Sequence, residues 1–333
     1  MARLVQTGFE SGGLEACMQL RETPTVVTSQ KRTGYYSLYI NGFMSVFLDF
    51  GGGYTEIYFR VGYRHHTTNG NGPFLSLQNT NGWNVLTFCR NSSGAIDVRL
   101  GGCTDSVIAT GGSLPQDQWK CIEGHVVIDG TNGVVDVKVN GALVIEFDGD
   151  TEVDAAAPDL YAAEFGYWNV THNVVCHFDD IAVNSAAGSV NNSWIGQGGI
   201  IGLYPNAAGE YTQLTPSAGN NYECVDERPP SDADYVYSAT GGLKDLYNLT
   251  PCALAPGTTI KAISWVGRAR NTQSGATAVT RLIRTASTDY AGAEAVPIDT
   301  EFQGLTEVIE QNPNTSANWS LADLDALQAG VVL

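Results

Sequence analysis

The chain has 333 residues, enough for two domains of ordinary size, and its 35 acidic and 17 basic residues give a net charge of −18. Both halves are acidic and no phosphate-binding loop is present, which excludes nucleic-acid binding as a main function. The seven cysteines include no C-x-x-C pair, which excludes a zinc or redox motif of that type. Their apolar neighbours favour buried free thiols, with a disulfide framework as the alternative.

The first ten residues contain no apolar stretch typical of a secretory signal. The uncharged stretch 181–209 is interrupted by Asn, Ser and Gly, so it does not predict a membrane span. Together with the free thiols, these features lead us to expect a chain that folds in a reducing cytoplasm and does not insert into membranes.

Short β-strands dominate the first half of the chain. Apolar residues alternate or cluster over 34–62, and further strand patterns follow over 74–109 and 174–183. The clearest hairpin covers 123–147, where Asn140-Gly141 suits a type I′ turn because both residues tolerate a positive φ. Ten or more strands without a helical period predict a two-sheet β-sandwich.

Four motifs in this half occur in an order that resembles one known fold. They are Gly-Phe-Glu-Ser-Gly-Gly at 8–13, Lys-Arg-Thr-Gly-Tyr-Tyr-Ser-Leu at 31–38, Asp-Val-Lys-Val-Asn-Gly at 136–141 and Phe-Asp-Asp-Ile-Ala-Val at 178–183. Together they resemble the concanavalin A-like (laminin-G-type) jelly roll. The resemblance implies one jelly-roll domain over residues 1–185.

A linker and a second domain are predicted after the jelly roll. Residues 186–199 are rich in Asn, Ser, Ala and Gly, which is typical of a linker. Residues 200–333 then predict a smaller β-rich domain, with strands at 260–269, 277–284 and 302–309.

The closing segment 312–330 predicts a turn, one short helix and a final strand. Ser320 is the expected N-cap and Gly330 the expected end of the helix, while Leu321, Leu324 and Leu327 share one face. The segment resembles the end of structural proteins from tailed bacteriophages, and this resemblance extends over about 190–333. It implies a virion component.

The jelly-roll resemblance also implies a structural calcium ion. In related carbohydrate-binding jelly rolls such an ion ties the first strand to the last. The matching acids here are Glu10 in the first motif and Asp179 and Asp180 in the last. The alternative is that these carboxylates accept hydrogen bonds from backbone amides in turns. No other cofactor is expected.

Aromatic side chains could form a glycan-contact surface, because sugars bind against ring faces with polar groups around them. The candidates are Tyr54, Tyr58, Tyr63, Trp83 and Trp168. Core packing is the alternative for each of them.

Motifs for catalysis are not found. The sequence has no Gly-x-Ser-x-Gly elbow and no Glu-x-Asp-x-x-Glu pair of the kind that jelly-roll glycosidases use. Glu56 and Asp136 are the lone acids of their predicted strands, and His125 is expected to be a packed or surface residue. The sequence therefore predicts a non-enzymatic protein.

Four arginines concentrate on two predicted strands of the second domain and are candidates for contacts with acidic neighbouring subunits. They are Arg268, Arg270, Arg281 and Arg284. The alternative is that they protect strand edges by their charge.

The sequence as a whole predicts a structural protein of a tailed-phage virion, made in the cytoplasm of the host bacterium. One domain would attach to the capsid or tail, and the jelly roll would point outward. Its expected partners are other virion proteins, further copies of itself and a glycan of the host surface. The alternatives are a phage-associated polysaccharide depolymerase and a calcium-dependent lectin-like module.

Overall fold

The computed structural model describes most of the chain, with its side chains. The described residues are 2–66, 72–166, 174–272, 278–295 and 300–333, with only the backbone at 293–295. Trp168, a predicted glycan-contact residue, lies outside them.

The chain divides into two compact units. The first extends to Glu10 and continues over Cys17–Ile201, and the second comprises Ser11–Ala16 and Gly202–Leu333. Within the described residues the regular secondary structure of both units is almost entirely β-strand, with one short α-helix near the end. The predicted class is therefore confirmed: a β-sandwich followed by a smaller β-rich unit that closes with a short helix.

The first unit contains two antiparallel sheets. Its strands, in chain order, are β1 Arg3–Thr7, β2 Gln19–Arg21, β3 Thr25–Val27, β4 Ser37–Gly42, β5 Ser45–Tyr54, β6 Glu56–His65, β7 Gly72–Gln78, β8 Asn84–Arg90, β9 Ile96–Leu100, β10 Val107–Gly111, β11 Trp119–Val127, β12 Gly133–Val139, β13 Ala142–Gly149, β14 Leu160–Gly166 and β15 Val174–Ser185. The eight-stranded sheet has the order β13-β12-β11-β6-β15-β4-β3, with β1 also paired to β15. The seven-stranded sheet has the order β10-β9-β8-β7-β14-β5-β2.

The core of the first unit lies between these sheets. Every second residue of β6, from Ile57 to His65, is buried, as period-2 geometry requires for side chains that face the core. Phe59 of β6 meets Phe88 of β8 edge to face, with ring centroids 5.3 Å apart. Tyr63 is 1% exposed and packs on Phe74 with centroids 4.6 Å apart. Tyr63, predicted as a glycan contact, is therefore a core residue, because its odd position in β6 points it inward.

The second unit is built around a five-stranded sheet of order β16-β19-β24-β21-β22 and two pairs, β17-β18 and β20-β23. Its elements are β16 Pro205–Thr212, β17 Thr215–Pro216, a 3-10 turn at Asn221–Cys224, β18 Val236–Tyr237, β19 Lys244–Leu249, β20 Ile263–Ala269, β21 Val279–Thr285, β22 Thr288–Ala295, β23 Gln303–Ile309, helix α1 Leu321–Asp325 and β24 Gln328–Val332. None of the described helices is long and apolar enough to cross a membrane.

Helix α1 confirms the predicted cap. The Ser320 hydroxyl accepts a hydrogen bond from the Asp323 amide, and the Asp323 carboxylate accepts one from the Ser320 amide. Leu324 and Leu327 are buried against Ile283 and Trp319, and Leu321 packs on the same cluster, in line with their predicted shared face.

Gly330 does not end this helix, contrary to the prediction. It lies inside β24, where a Cβ atom would come within 2.0 Å of the Asp245 carbonyl oxygen on the neighbouring strand β19. We expect Gly330→Ala to lower the free energy of unfolding by about 1–3 kcal/mol, the usual cost of overpacking. Chemical denaturation would measure it. Gly52→Ala is the matched control, since Gly52 also lies inside a strand without a positive φ and a Cβ there would be 3.8 Å from its nearest neighbour.

Candidate functional site

The outer face of the eight-stranded sheet carries two cross-strand rows of polar and aromatic side chains. The strand register places one residue from each of five neighbouring strands in a row across this face. This row, called the first row, contains Asn184 of β15, Tyr58 of β6, His125 of β11, Asp136 of β12 and Glu146 of β13. Side chains directly opposite one another in such a row are close enough to interact.

Three aromatic rings form the centre of the first row. Tyr58 and His125 stack with centroids 4.3 Å apart and an interplanar angle of 6°. Trp194 meets both rings edge-on, at 5.8 Å from Tyr58 and 6.1 Å from His125. The ammonium of Lys138 lies 3.6 Å from the Trp194 ring centroid, in cation–π geometry. We call Tyr58, His125 and Trp194 the aromatic cluster.

Two carboxylates flank this cluster. Glu56 Oε1 lies 2.9 Å from Nε2 of His125, and Asp136 Oδ2 lies 3.5 Å from its Nδ1. The Tyr58 hydroxyl donates to Glu56 over 3.2 Å. Burial, reinforced by Glu56, raises the pKa of Tyr58 to about 12, so the phenol keeps its proton. About a third of each carboxylate side chain is exposed, so both can accept further hydrogen bonds from a ligand.

Chemically, the first row offers aromatic surface beside carboxylate acceptors, a phenol and an ammonium. Such a mixture suits a ligand that is apolar on its C–H faces and rich in hydroxyl donors at its edges. Polyhydroxylated rings have this character. The row therefore has the composition of a carbohydrate-contact surface.

The middle of the same face is covered by the chain itself. Residues 194–200, called the strap, lie in and just after the predicted linker 186–199. The Gly196 amide donates to Glu123 of β11 over 2.7 Å, and Trp194 belongs to the aromatic cluster. The structure therefore places these residues in the first unit, on its sheet.

Two of the predicted calcium ligands bind the strap or the β3–β4 loop next to it. The Asp179 carboxylate accepts from the amides of Arg32 and Thr33 at 2.7 and 3.2 Å. Asp180 pairs with the Arg32 guanidinium at 2.6 Å and accepts from the Ile200 amide at 2.6 Å. Both aspartates are 0% exposed. Burial and the neighbouring Asp180 raise the pKa of Asp179 to about 8.

The third predicted ligand, Glu10, is bound by the same loop between β3 and β4, a few residues further on. Its carboxylate accepts from the Tyr35 amide at 3.0 and 3.1 Å and from the Tyr36 amide at 3.3 Å. Gly34 allows this approach, because its φ is +60° and a Cβ there would lie 2.1 Å from a Glu10 oxygen. Within the described residues no group of three or more His, Cys, Asp or Glu side chains is arranged to hold a metal ion.

These contacts do not fit a calcium ion as they stand, because backbone amides and one guanidinium already use the carboxylate oxygens. We expect the melting temperature of the protein to be the same in calcium chloride and in EDTA, as measured by differential scanning calorimetry. A calcium-dependent rise that disappears in Glu10→Gln would contradict this and would support the calcium site implied by the sequence.

The other predicted aromatic residues lie elsewhere. Tyr54 ends β5 and Trp83 precedes β8, both in the seven-stranded sheet, and Trp83 is 56% exposed. The structure thus does not bring them together with Tyr58.

The four predicted assembly arginines have contacts within the second unit. Arg268 pairs with Asp232 at 2.9 Å, Arg281 with Glu307 at 2.9 Å and Arg284 with Asp289 at 2.6 Å. Arg270 lies over the Phe302 ring, 4.6 Å from its centroid. Their role in assembly stays a prediction.

Most of the first row was not identified from the sequence. Glu56 and Asp136 are lone acids in their strands, and only the register of three strands brings them to the two sides of His125. Trp194 lies in the predicted linker, where only its isolation in a polar stretch could have pointed to a fixed position.

No protein-family model and no curated protein matches the sequence. The chain is similar to domain 4 of an extracellular arabinanase from Geobacillus stearothermophilus, in complex with arabinotriose, with 15% identity, 55% of this chain and 92% of that one covered, and a TM-score of 0.39. It is also similar to an alginate lyase, with 10% identity, 46% of this chain and 82% of that one covered, and a TM-score of 0.34. The similarity to Trypanosoma rangeli sialidase has 12% identity and a TM-score of 0.37 and covers 52% of this chain. It covers 29% of the sialidase, so the match spans less than a third of that protein. These likenesses carry no argument about function.

Proposed function

We propose that this protein is a non-enzymatic structural component of a tailed-phage virion. Its second unit would attach to the capsid or tail beside other virion proteins, and its first unit would be displayed outward on an oligomeric particle. The proposal is supported by the closing segment 312–330, whose amino-acid sequence resembles the end of phage structural proteins. Because Trp319, Leu324 and Leu327 of this segment belong to a buried core, it is an integral part of the second unit.

The displayed unit would make a weak contact with a host-surface glycan. The observation that carries this is the aromatic cluster, with Glu56 and Asp136 at its edge. A weak individual site suffices on a particle, because repeated copies multiply the overall affinity.

Particle location is tested by immunogold imaging of purified phage, with particle-free lysate as the comparison. Label on the head or tail is expected, and label confined to the free lysate would overturn the virion proposal. A variant truncated after Ile201 keeps the whole strap and should be absent from particles. Its persistence there would contradict attachment through the second unit.

Glycan contact is tested by binding of the purified protein to an array of bacterial surface polysaccharides. We expect Trp194→Ala to weaken binding about fivefold, since one aromatic contact contributes about 1 kcal/mol. Trp83→Ala is the matched control, because Trp83 is exposed on the other sheet. Equal binding by both variants would remove the aromatic cluster from the proposal.

One observation favours a second candidate, a polysaccharide depolymerase. Glu56 and Asp136 flank one imidazole, and a pair of carboxylates is the usual equipment of glycoside hydrolysis. Cleavage of a capsular polysaccharide that is lost in both Glu56→Gln and Asp136→Asn would establish this enzyme and replace the non-enzymatic proposal.

A further inference from the structure

A second cross-strand row lies on the same face of the eight-stranded sheet. It contains Tyr39 of β4, His177 of β15, Arg64 of β6 and Trp119 of β11. Arg64 is six residues from Tyr58 along β6, so the two rows are roughly 20 Å apart at about 3.3 Å per residue. The strap and the buried aspartates lie between them.

A chain of hydrogen bonds ends at His177. Asp117 Oδ1 lies 2.8 Å from Nδ1 of His66, and Nε2 of His66 lies 2.7 Å from Nδ1 of His177. Arg64 donates from Nε to Nε2 of His66 over 3.4 Å, and its other nitrogens bind Asp117.

These contacts fix which nitrogens carry protons. An ionised carboxylate only accepts, so Nδ1 of His66 carries a hydrogen. An arginine N–H only donates, so Nε2 of His66 accepts, and Nδ1 of His177 must therefore carry a hydrogen as well. Burial, with His66 and Arg64 nearby, lowers the pKa of His177 to about 4, so its ring is neutral near pH 7. The remaining nitrogen, Nε2 of His177, thus holds a lone pair.

His177 is 4% exposed, and no group of the described residues donates a hydrogen bond to its Nε2. The Tyr39 ring lies beside the imidazole at 5.0 Å and the Trp119 ring at 6.4 Å, measured between centroids. A lone pair beside two aromatic rings is suited to a ligand that brings both a hydrogen-bond donor and an apolar face.

We propose that the second row is a separate carbohydrate-binding site in which Nε2 of His177 accepts a hydrogen bond from a sugar hydroxyl. Tyr39 and Trp119 supply the apolar contact to the sugar's C–H groups. An ammonium donor is disfavoured because the Arg64 guanidinium lies next to the imidazole. The proposal deepens the glycan contact proposed above and rests on it, since it gives the displayed unit two contact points on one face.

The test is nitrogen NMR of protein labelled with ¹⁵N only in its histidines, with His177 and His125 assigned through His177→Gln and His125→Gln. The probes are the methyl glycosides of glucose, galactose, mannose and N-acetylglucosamine. Near pH 7 we expect His177 to carry its proton on Nδ1, and its Nε2 resonance to move as a glycoside is added. A proton on Nε2, or no movement with any of the four, would overturn the proposal.

The same sample separates the two sites, because each row contains one of the assigned histidines. Movement of the His177 resonance without movement of the His125 resonance supports the second row and contradicts glycan binding by the aromatic cluster. The reverse result overturns the second row alone.

Asp117→Asn tests the positioning role of the chain of hydrogen bonds that ends at His177. We expect it to disturb the His177 proton position and to weaken glycoside binding about threefold to tenfold, the worth of one hydrogen bond. Asp159→Asn, at a carboxylate that binds Thr80 in the other sheet's connections, should change neither.

Discussion

Replacing Asp180 with asparagine is expected to lower the free energy of unfolding by about 3–5 kcal/mol, the usual effect of breaking a buried ion pair. Asp180 is fully buried, and its partner Arg32 is 15% exposed. Without the carboxylate, the guanidinium keeps its charge in a place with little water. The Asn amide would also meet N–H and O–H donors, since Asp180 Oδ1 accepts from the Ile200 amide and the Thr33 hydroxyl.

The backbone conformation at position 180 does not complicate the interpretation of this substitution. Asp180 has a φ of +53°, a left-handed conformation that asparagine adopts readily, so the loss measures the charge and its hydrogen bonds. Urea unfolding followed by tryptophan fluorescence would give the free energy. Asp150→Asn, on the exposed turn before Glu152, is the matched control and should change it by less than about 0.5 kcal/mol. If Asp180→Asn lowered the free energy of unfolding by no more than this control does, the buried ion pair would contribute little to stability.

The adjacent Asp179 is expected to stabilise the folded state in its protonated form, whereas Asp180 does so as a charged carboxylate. Its pKa is about 8 in the folded protein, against an ordinary 3.8, chiefly because burial disfavours the charged form. Between these values the folded state keeps a proton that the unfolded state has lost. The stability contributed by Asp179 is therefore complete below about pH 4 and is lost as the pH rises towards 8.

We expect Asp179→Asn to remove this decline, because the amide is neutral at every pH. Unfolding curves at a series of pH values from 4 to 9 would compare the variant with the wild type. Other groups, such as His177 with its lowered pKa, contribute equally to both curves and cancel in this comparison. An identical slope in the variant and the wild type would contradict the raised pKa of Asp179.

The strands and their facing could be predicted because side-chain direction follows period 2. The same rule separates Tyr58 from Tyr63, since residues five apart in one strand point to opposite faces. One is in the aromatic cluster and the other is in the core. The information needed to remove Tyr63 from the predicted contact residues was therefore present in the sequence.

The rest depended on register and on chain segments that return to the sheet. Nothing in a single strand says that His125 will stand opposite both Tyr58 and Asp136, because neighbouring strands pair through contacts distant in sequence. The strap is the stronger case. Its glycines and polar residues predict a linker, but the buried charges of Arg60 and Glu123 require partners, and the strap's backbone supplies them.

The second large effect is expected in the other unit, where Trp319→Ala should lower the free energy of unfolding by about 3–5 kcal/mol. Trp319 is 3% exposed and packs against Ile283, Leu324 and Leu327. Its Nε1–H donates to the Ile309 carbonyl at 3.1 Å, so the residue connects β23 to the closing segment. Removing the ring leaves a cavity at the centre of this core and an unpaired carbonyl.

Trp319→Phe separates these two causes, because it keeps an aromatic ring and loses the donor, and it should cost about 1 kcal/mol for the hydrogen bond with a smaller packing loss. Hydrogen exchange would locate the effect: faster exchange is expected in β21, β23 and β24 and unchanged exchange in β6 and β11. If Trp319→Ala also removes the protein from purified particles while Trp319→Phe remains, the folded core is needed for attachment. Equal incorporation of both variants would mean that particle attachment does not depend on the core built by the phage-like segment.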